Sequence, residues 1–230
     1  MTRTLTITAT GTETGKTFLT ATLARQIRDR GDTVTVSKPV SSGCRADGAG
    51  RLWSPDGEEL ATAAGEDPGD WERHQRLFPE RFSDPLSPHQ AADRAGRLLS
   101  AEMLAEYGRD LAWNGGDWVL AEGVGGVMVP LSDHATVLDW LAAQNWPTLL
   151  VAGTYLGTLS HTLTALRCLE TAGVPLAGVV LNRYQAEEPV PPEETARTLR
   201  SFHPGLPVAV LADATTDQPP PDLLGELGLA

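Results

Sequence analysis

Short runs of Val, Leu, Ile and Thr recur at Thr4 to Ala9, Thr33 to Ser37, Trp118 to Ala121, Thr148 to Ala152, Ala177 to Leu181 and Val208 to Leu211. Several are almost wholly apolar rather than alternating, the pattern of parallel strands covered on both faces. Between them lie stretches that predict helices: Phe18 to Arg30, about Gly57 to Ala64, His89 to Tyr107, Ala135 to Asn145, Leu159 to Ala172 and Glu193 to Phe202. Strand and helix alternating along the chain predict an α/β fold, one doubly wound domain over residues 1–230 with a mainly parallel sheet. Ligands of such folds bind beyond the carboxyl ends of the strands.

Punctuation agrees with these boundaries. Gly31-Asp32 and Gly173 follow helices as stops, and Ser87-Pro88 offers an N-cap with a first-turn proline. Arg45 to Pro55, Gly65 to Pro85 and Tyr184 to Pro192 read as loops, the middle one packing locally around Trp71 and Phe78. Thr215 to Pro221 is a polar, proline-rich lead into a short C-terminal helix.

Composition narrows the function. With 230 residues, of which 41% are apolar, the chain can bury a substantial core. No run approaches the roughly 20 apolar residues of a membrane span, and Met1-Thr2-Arg3-Thr4 leads into a strand, so the expected location is cytoplasmic. The formal charge of −12 repels nucleic acid and anionic lipid, so a phosphate-bearing ligand needs a local positive field. The five histidines show no metal-binding clustering, and Cys44 and Cys168 have neither metal nor redox spacing.

That local field is easy to find, because only Lys16 and Lys38 break an otherwise all-arginine set of basic residues. Lys16 lies in Gly11-Thr12-Glu13-Thr14-Gly15-Lys16-Thr17, between a buried strand and a helix. In such a loop the backbone N–H groups face phosphate oxygens, the lysine neutralises them and the threonine hydroxyl suits Mg2+. Thr10 occupies the first glycine position of the strict P-loop pattern. Lys38 opens Lys38-Pro39-Val40-Ser41-Ser42-Gly43, at the same sheet edge if its strand neighbours the first. A compact ammonium there suits charge that moves during phosphoryl transfer. Glu122 closes a third apolar strand and precedes Gly123-Val124-Gly125-Gly126, the place for a metal-linked acid. Asp56 could complete the metal shell, although the acidic helix start Asp56, Glu58 and Glu59 also suits a helix dipole.

Taken in order, Thr10 to Thr17, Lys38 to Gly43, Ser87-Pro88-His89, Glu122 to Gly126, Leu156-Gly157 to His161 and Ala177 to Asn182 resemble the dethiobiotin synthetase family over nearly the full chain. The resemblance implies a P-loop fold and an ATP-dependent ring closure of 7,8-diaminononanoate with CO2, through a carbamate and a carbamic-phosphoric anhydride. Carried over by position, it makes Lys38 the catalytic lysine and Lys16 the grip on the β and γ phosphates. Glu13, Thr14, Gly15, Thr17, Gly123, Val124 and Gly125 would border the nucleotide, and Thr17, Asp56 and Glu122 would hold Mg2+. Asn182 with Arg183 would read the adenine, helped by Ala209, Val210 and Leu211, a segment that maps only loosely. Thr12 and Ser42 would face the diamine or carbamate. The family's homodimers put the site near the interface, with the substrate tail reaching the partner's Leu156-Gly157 segment, and Gly157 and Ser160 would be substrate-binding positions.

The chain departs from the family pattern in three places. Ala9 stands for the usual glycine, Gly11 for a common acidic residue, and Ser160 for an expected asparagine. A rival reading, a partition or division-site ATPase switch, normally needs a signature lysine early in the loop, where this chain has Gly11. A second rival, a glutamine-dependent cobyrinate amidase, usually carries a glutaminase domain for which the chain is too short. Ser87-Pro88-His89 reads as helix capping rather than as a nucleophile and base.

Overall fold

The computed structural model describes residues 1–182, 191–211 and 220–230. Its elements run β1 (Arg3–Ala9), α1 (Lys16–Asp29), β2 (Val34–Ser37), β3 (Val40–Ser41), β4 (Arg45–Ala46), β5 (Leu52–Trp53), α2 (Gly57–Ala64), α3 (Trp71–Leu77), β6 (Glu80–Arg81), α4 (Pro88–Arg94), α5 (Ala101–Asn114), β7 (Trp118–Glu122), α6 (Val137–Gln144), β8 (Thr148–Gly153), α7 (Thr158–Thr171), β9 (Leu176–Asn182), α8 (Pro192–Phe202), β10 (Val208–Leu211) and α9 (Leu223–Glu226).

The apolar runs become a six-stranded sheet in the order β10-β9-β8-β1-β7-β2, with every described ladder parallel. Every residue of β7 and β8 is buried, which is why their sequences do not alternate. Helices cover both faces. α1 packs on β1, β2 and β7 and meets α2 and α9, whereas α5, α6, α7 and α8 pack on one another in sequence across the other face.

β7 lies between β1 and β2, so the Lys38 strand does not neighbour the first strand as the sequence reading supposed. The site gains from this, since Ile7 pairs with Glu122 and Ser37 with Ala121, bringing three strand ends to one edge.

Four expectations need correction. The helix expected over His89 to Tyr107 is two helices, α4 and α5, because Gly96 at φ +64° ends the first and the Ser100 side chain caps the second. Gly65 to Pro85 is not all loop. It carries α3, whose start is capped by Asp70 accepting from the Arg73 N–H, and the short strand β6, which pairs with β3. Arg45 to Pro55 likewise holds the small antiparallel pair β4–β5. Ser87 occupies the N-cap position of α4, but its hydroxyl bonds the His89 ring and the Gln90 side chain instead of the helix backbone. Arg183, most of Tyr184 to Pro192 and most of Thr215 to Pro221 lie outside the described residues.

Candidate active site

The turn from β1 to α1 folds back on itself through two left-handed residues, Glu13 at φ +58° and Gly15 at φ +92°. Gly15 has no room for a side chain, since a Cβ there would lie 2.0 Å from Asn182 Nδ2. Asn182, at the end of β9, donates from that nitrogen to the Thr14 carbonyl (3.0 Å). Lys16 is buried within the turn, where its ammonium donates to the Gly11 carbonyl (3.1 Å). Burial lowers its pKa to about 8, Glu122 opposing the fall and Lys38 adding to it.

Beside this loop four side chains from separate parts of the chain meet. Glu122 is fully buried, and its Oε1 accepts from the Thr17 hydroxyl (2.9 Å) and from the Lys38 ammonium (2.9 Å). Lys38 donates a further short bond to Asp56 Oδ2. Burial works to lower the Lys38 pKa, but Glu122 and Asp56 outweigh it and hold the group protonated above its ordinary range. Glu122 Oε2 has no hydrogen-bond partner among the described residues although it is buried. An orphaned carboxylate oxygen is costly unless something else binds it.

Asp56 sits at the N-cap of α2, yet its side chain makes no bond to that helix. It forgoes about 1 kcal/mol of capping, and its carboxylate turns to Lys38 instead. Glu58 and Glu59 are exposed, so of the three acids only Asp56 joins the cluster. The Thr17 hydroxyl, the Asp56 carboxylate and the orphaned Glu122 oxygen form a hard, all-oxygen donor set suited to Mg2+. No group of three or more His, Cys, Asp or Glu side chains among the described residues is arranged to hold a metal.

A profile described as AAA domain matches residues 3–214. The ATP-dependent dethiobiotin synthetase BioD of Acidiphilium cryptum is 39% identical over 92% of this chain and 93% of its own. That of Methylobacterium nodulans is 41% identical over 91% and 92%. The chain belongs to the dethiobiotin synthetase family. It is therefore one of a family of ATP-dependent enzymes. Solved structures share the fold: the septum site-determining protein MinD of Pyrococcus horikoshii, in complex with Mg-ADP, has 21% identity, a TM-score of 0.56, and a match covering 92% of this chain and 81% of that one. The cell division protein FtsY of Thermotoga maritima has 15% identity, a TM-score of 0.58, and a match covering 99% of this chain and 67% of that one. At such identities the likeness is one of fold.

The residues that the dethiobiotin synthetase resemblance nominated do not all converge. Gly123 and Gly125 carry the backbone past the loop, the Gly123 N–H donating to Ile7 O (2.8 Å), and Val124 is half-buried. Thr12 and Glu13 are exposed and Ser42 is half-buried near Lys38 in sequence. Ala209 and Leu211 are core residues of β10 and Val210 is half-buried; Leu211 pairs in register with Asn182, so the segment adjoins that asparagine at the sheet edge. Gly157, at φ +100° before α7, borders a small recess of about 100 Å3 with Tyr155 and Leu156, and Ser160 is exposed on the first turn of α7. Neither is among the hydrogen-bond partners of the Lys38 cluster, which are Thr17, Asp56 and Glu122.

Two features do not follow from the motifs. A cavity of about 410 Å3 lies between Thr10 to Thr12, Gly126 to Val129 and the α7 residues His161, Thr164, Ala165 and Cys168. His74 lies under the turn that carries Asp56, with its Nε2 accepting from the Ser54 N–H (3.0 Å). It belongs to a helix that the apolar pattern does not disclose.

Proposed function

We propose that this enzyme, with residues 1–230 acting as one domain, carboxylates 7,8-diaminononanoate and closes the cyclic urea of dethiobiotin, using CO2 and ATP and releasing ADP and phosphate. The observation that carries this reading is the Lys38 ammonium, bonded to Asp56 and Glu122 beside the P-loop of a dethiobiotin synthetase family member.

One amine of the substrate attacks CO2, forming a C–N bond and losing a proton to give a carbamate. A carbamate oxygen takes the γ-phosphoryl group of ATP, breaking the bond to ADP and giving a carbamic-phosphoric anhydride. The second amine attacks that carbonyl, phosphate leaves with the bonding electrons, and a proton is lost as the ring closes. Lys38 carries fixed positive charge to the carbamate and the transferring phosphoryl group. Because its environment holds it protonated, it acts as an electrostatic clamp rather than as a base. Lys16 leaves the Gly11 carbonyl for the β and γ phosphates, while Glu13, Thr14, Gly15 and the Gly123 to Gly125 backbone border the nucleotide. Thr17, Asp56 and Glu122 would hold Mg2+, which when bound neutralises phosphate charge and orients the reacting oxygen. Asn182, with the Ala209 to Leu211 segment, faces the base, the family resemblance adds Arg183 to it, and Thr12 and Ser42 face the diamine or carbamate.

Gly157 and Ser160 of a partner subunit receive the substrate carboxylate in a homodimer. This is supported by Leu156, which stands beside Gly157 and is 89% exposed. No helix of the described residues is long and apolar enough to cross a membrane.

The test is incubation of purified protein with Mg2+, ATP, bicarbonate and 7,8-diaminononanoate. Diamine-dependent phosphate release together with dethiobiotin is the expected result, and the absence of both overturns the assignment. Light scattering that finds only monomers, with and without substrate, removes the shared-site reading.

A further inference from the structure

The Asp56 carboxylate makes no bond to the helix it begins and reaches Lys38 instead, so its aim depends on the backbone that carries it. Whatever fixes residues 54–57 therefore fixes the acid. Within that turn the Gly57 N–H donates to Ser54 O (3.1 Å) and the Leu60 N–H donates to Asp56 O (3.0 Å). Outside it, Ser41 Oγ meets Ser54 Oγ (3.0 Å), and His74 contacts the turn at both ends. Its Nε2 accepts from the Ser54 N–H (3.0 Å), and its Cε1 lies 2.5 Å from the place a Gly57 Cβ would take. One ring thus touches the turn on each side of Asp56.

The ring itself is held. His74 is 4% exposed and packs against Trp53 (centroids 4.6 Å apart), Phe78 (4.7 Å) and Trp71 (6.0 Å, stacked). Burial, with the nearby Arg81 cation adding to it, lowers its pKa to about 4, so the ring is neutral and Nε2 is free to accept. The same short helix also holds Lys38, because Leu77 O accepts both the Lys38 N–H (3.2 Å) and the Ser37 hydroxyl (2.7 Å). α3 grips the backbone behind both ends of the Lys38–Asp56 ion pair.

We propose that His74 is a positioning residue: by accepting the Ser54 N–H and bracing Gly57, it sets the turn that presents Asp56 to Lys38 and to the bound cation. It touches neither nucleotide nor metal. The inference rests on the reading of Asp56 as a metal-side acid, so Asp56→Asn is measured alongside.

The probe is ADP, titrated calorimetrically with and without Mg2+, and the quantity read is the factor by which Mg2+ tightens ADP binding. His74→Phe keeps an aromatic ring of similar volume but leaves the Ser54 N–H unpaired. It should reduce the Mg2+ factor by about tenfold to a hundredfold, the usual cost of losing a partner behind a metal ligand, while metal-free ADP affinity holds. His74→Gln, which places an acceptor near the Nε2 position, should recover most of the loss. Should the phenylalanine variant fail to fold, Gly57→Ala tests the same brace from the other side, because its new methyl strikes the ring. An unchanged Mg2+ factor in His74→Phe or Gly57→Ala, with that of Asp56→Asn abolished, overturns the role of His74. Equal weakening of ADP with and without Mg2+ also overturns it, as that is the mark of general damage. An unchanged factor in Asp56→Asn removes the metal-side reading of that acid first, and the inference with it.

Discussion

Lys38 and Lys16 are both buried cations, but their surroundings push them in opposite directions. Lys38 has two carboxylates for one ammonium and stays charged, whereas Lys16 has a carbonyl for a partner and loses its proton more easily. Arginine cannot replace the first, because a planar guanidinium does not fit the point at which the Asp56 and Glu122 oxygens converge. Lys38→Arg is expected to lower turnover by about 10²–10³-fold, the scale of a lost charge-stabilising group, with ADP affinity little changed. Steady-state rates beside an ADP titration check this.

For Lys16 the consequence is a pH dependence with a definite sign. Its folded pKa lies below the ordinary 10.5, near 8, so the folded state holds fewer protons than the unfolded chain between those values, and stability rises with pH across that window. Nucleotide binding runs the other way, since phosphate needs the cation. Above pH 8 affinity should fall by up to about tenfold per pH unit. At pH 8 binding should take up a fraction of a proton, read as a binding enthalpy that changes with the buffer's ionisation enthalpy. Loss of this uptake in Lys16→Met assigns it to Lys16.

At the scale of elements, the glycine loop after β7 supports the loop after β1. A Cβ on Gly126 would lie 3.0 Å from Thr10 O and 3.1 Å from the Gly11 backbone, whereas one on Gly11 meets nothing within 4 Å. Gly126→Ala is therefore expected to weaken ADP binding by about tenfold, and Gly11→Ala to leave it nearly unchanged; the steric cost of a forced backbone shift is about 1–3 kcal/mol. Calorimetric titration of the pair separates close packing from any general need for glycine.

The same scale explains what could be read from the sequence. Lys16, Thr17, Lys38 and Glu122 each sit within a few residues of the end of an apolar run, so the strand pattern and the motif point to the same edge. Asp56 is one of three acids within four residues, and only the turn around it separates it from Glu58 and Glu59. α3 escaped detection because its seven residues, Trp-Glu-Arg-His-Gln-Arg-Leu, are mostly polar and are helical by virtue of the Asp70 cap and the packing of His74 and Leu77. His74 was invisible with it. The break at Gly96 was missed because the residues on both sides favour helix, and a left-handed glycine can stop one without a proline.

For the whole molecule, the site depends on distant partners. Thr17 and Glu122 are 105 positions apart, and Lys38 and Glu122 are 84 apart. Those bonds rest on β7, which comes much later in the chain, pairing with both β1 and β2. Sheets built from such remote pairings fold slowly, in milliseconds to seconds. After dilution from denaturant, Trp fluorescence and ADP binding should return in one slow phase, since the buried Trp118 and Trp140 and the ion cluster report the same sheet. ADP binding that recovers well before the fluorescence would refute this coupling.

During synthesis the order of the strands becomes an order in time. β1 is made well before its neighbours, which begin at Trp118 and Thr148, and it lies in the interior of the finished sheet. At about 5–20 residues per second, an apolar strand and the phosphate loop behind it spend several seconds or more outside the ribosome with both edges bare. Ile7, Leu5 and Ala9, which end wholly covered, are for that interval the part of the nascent chain most open to chaperones and to aggregation.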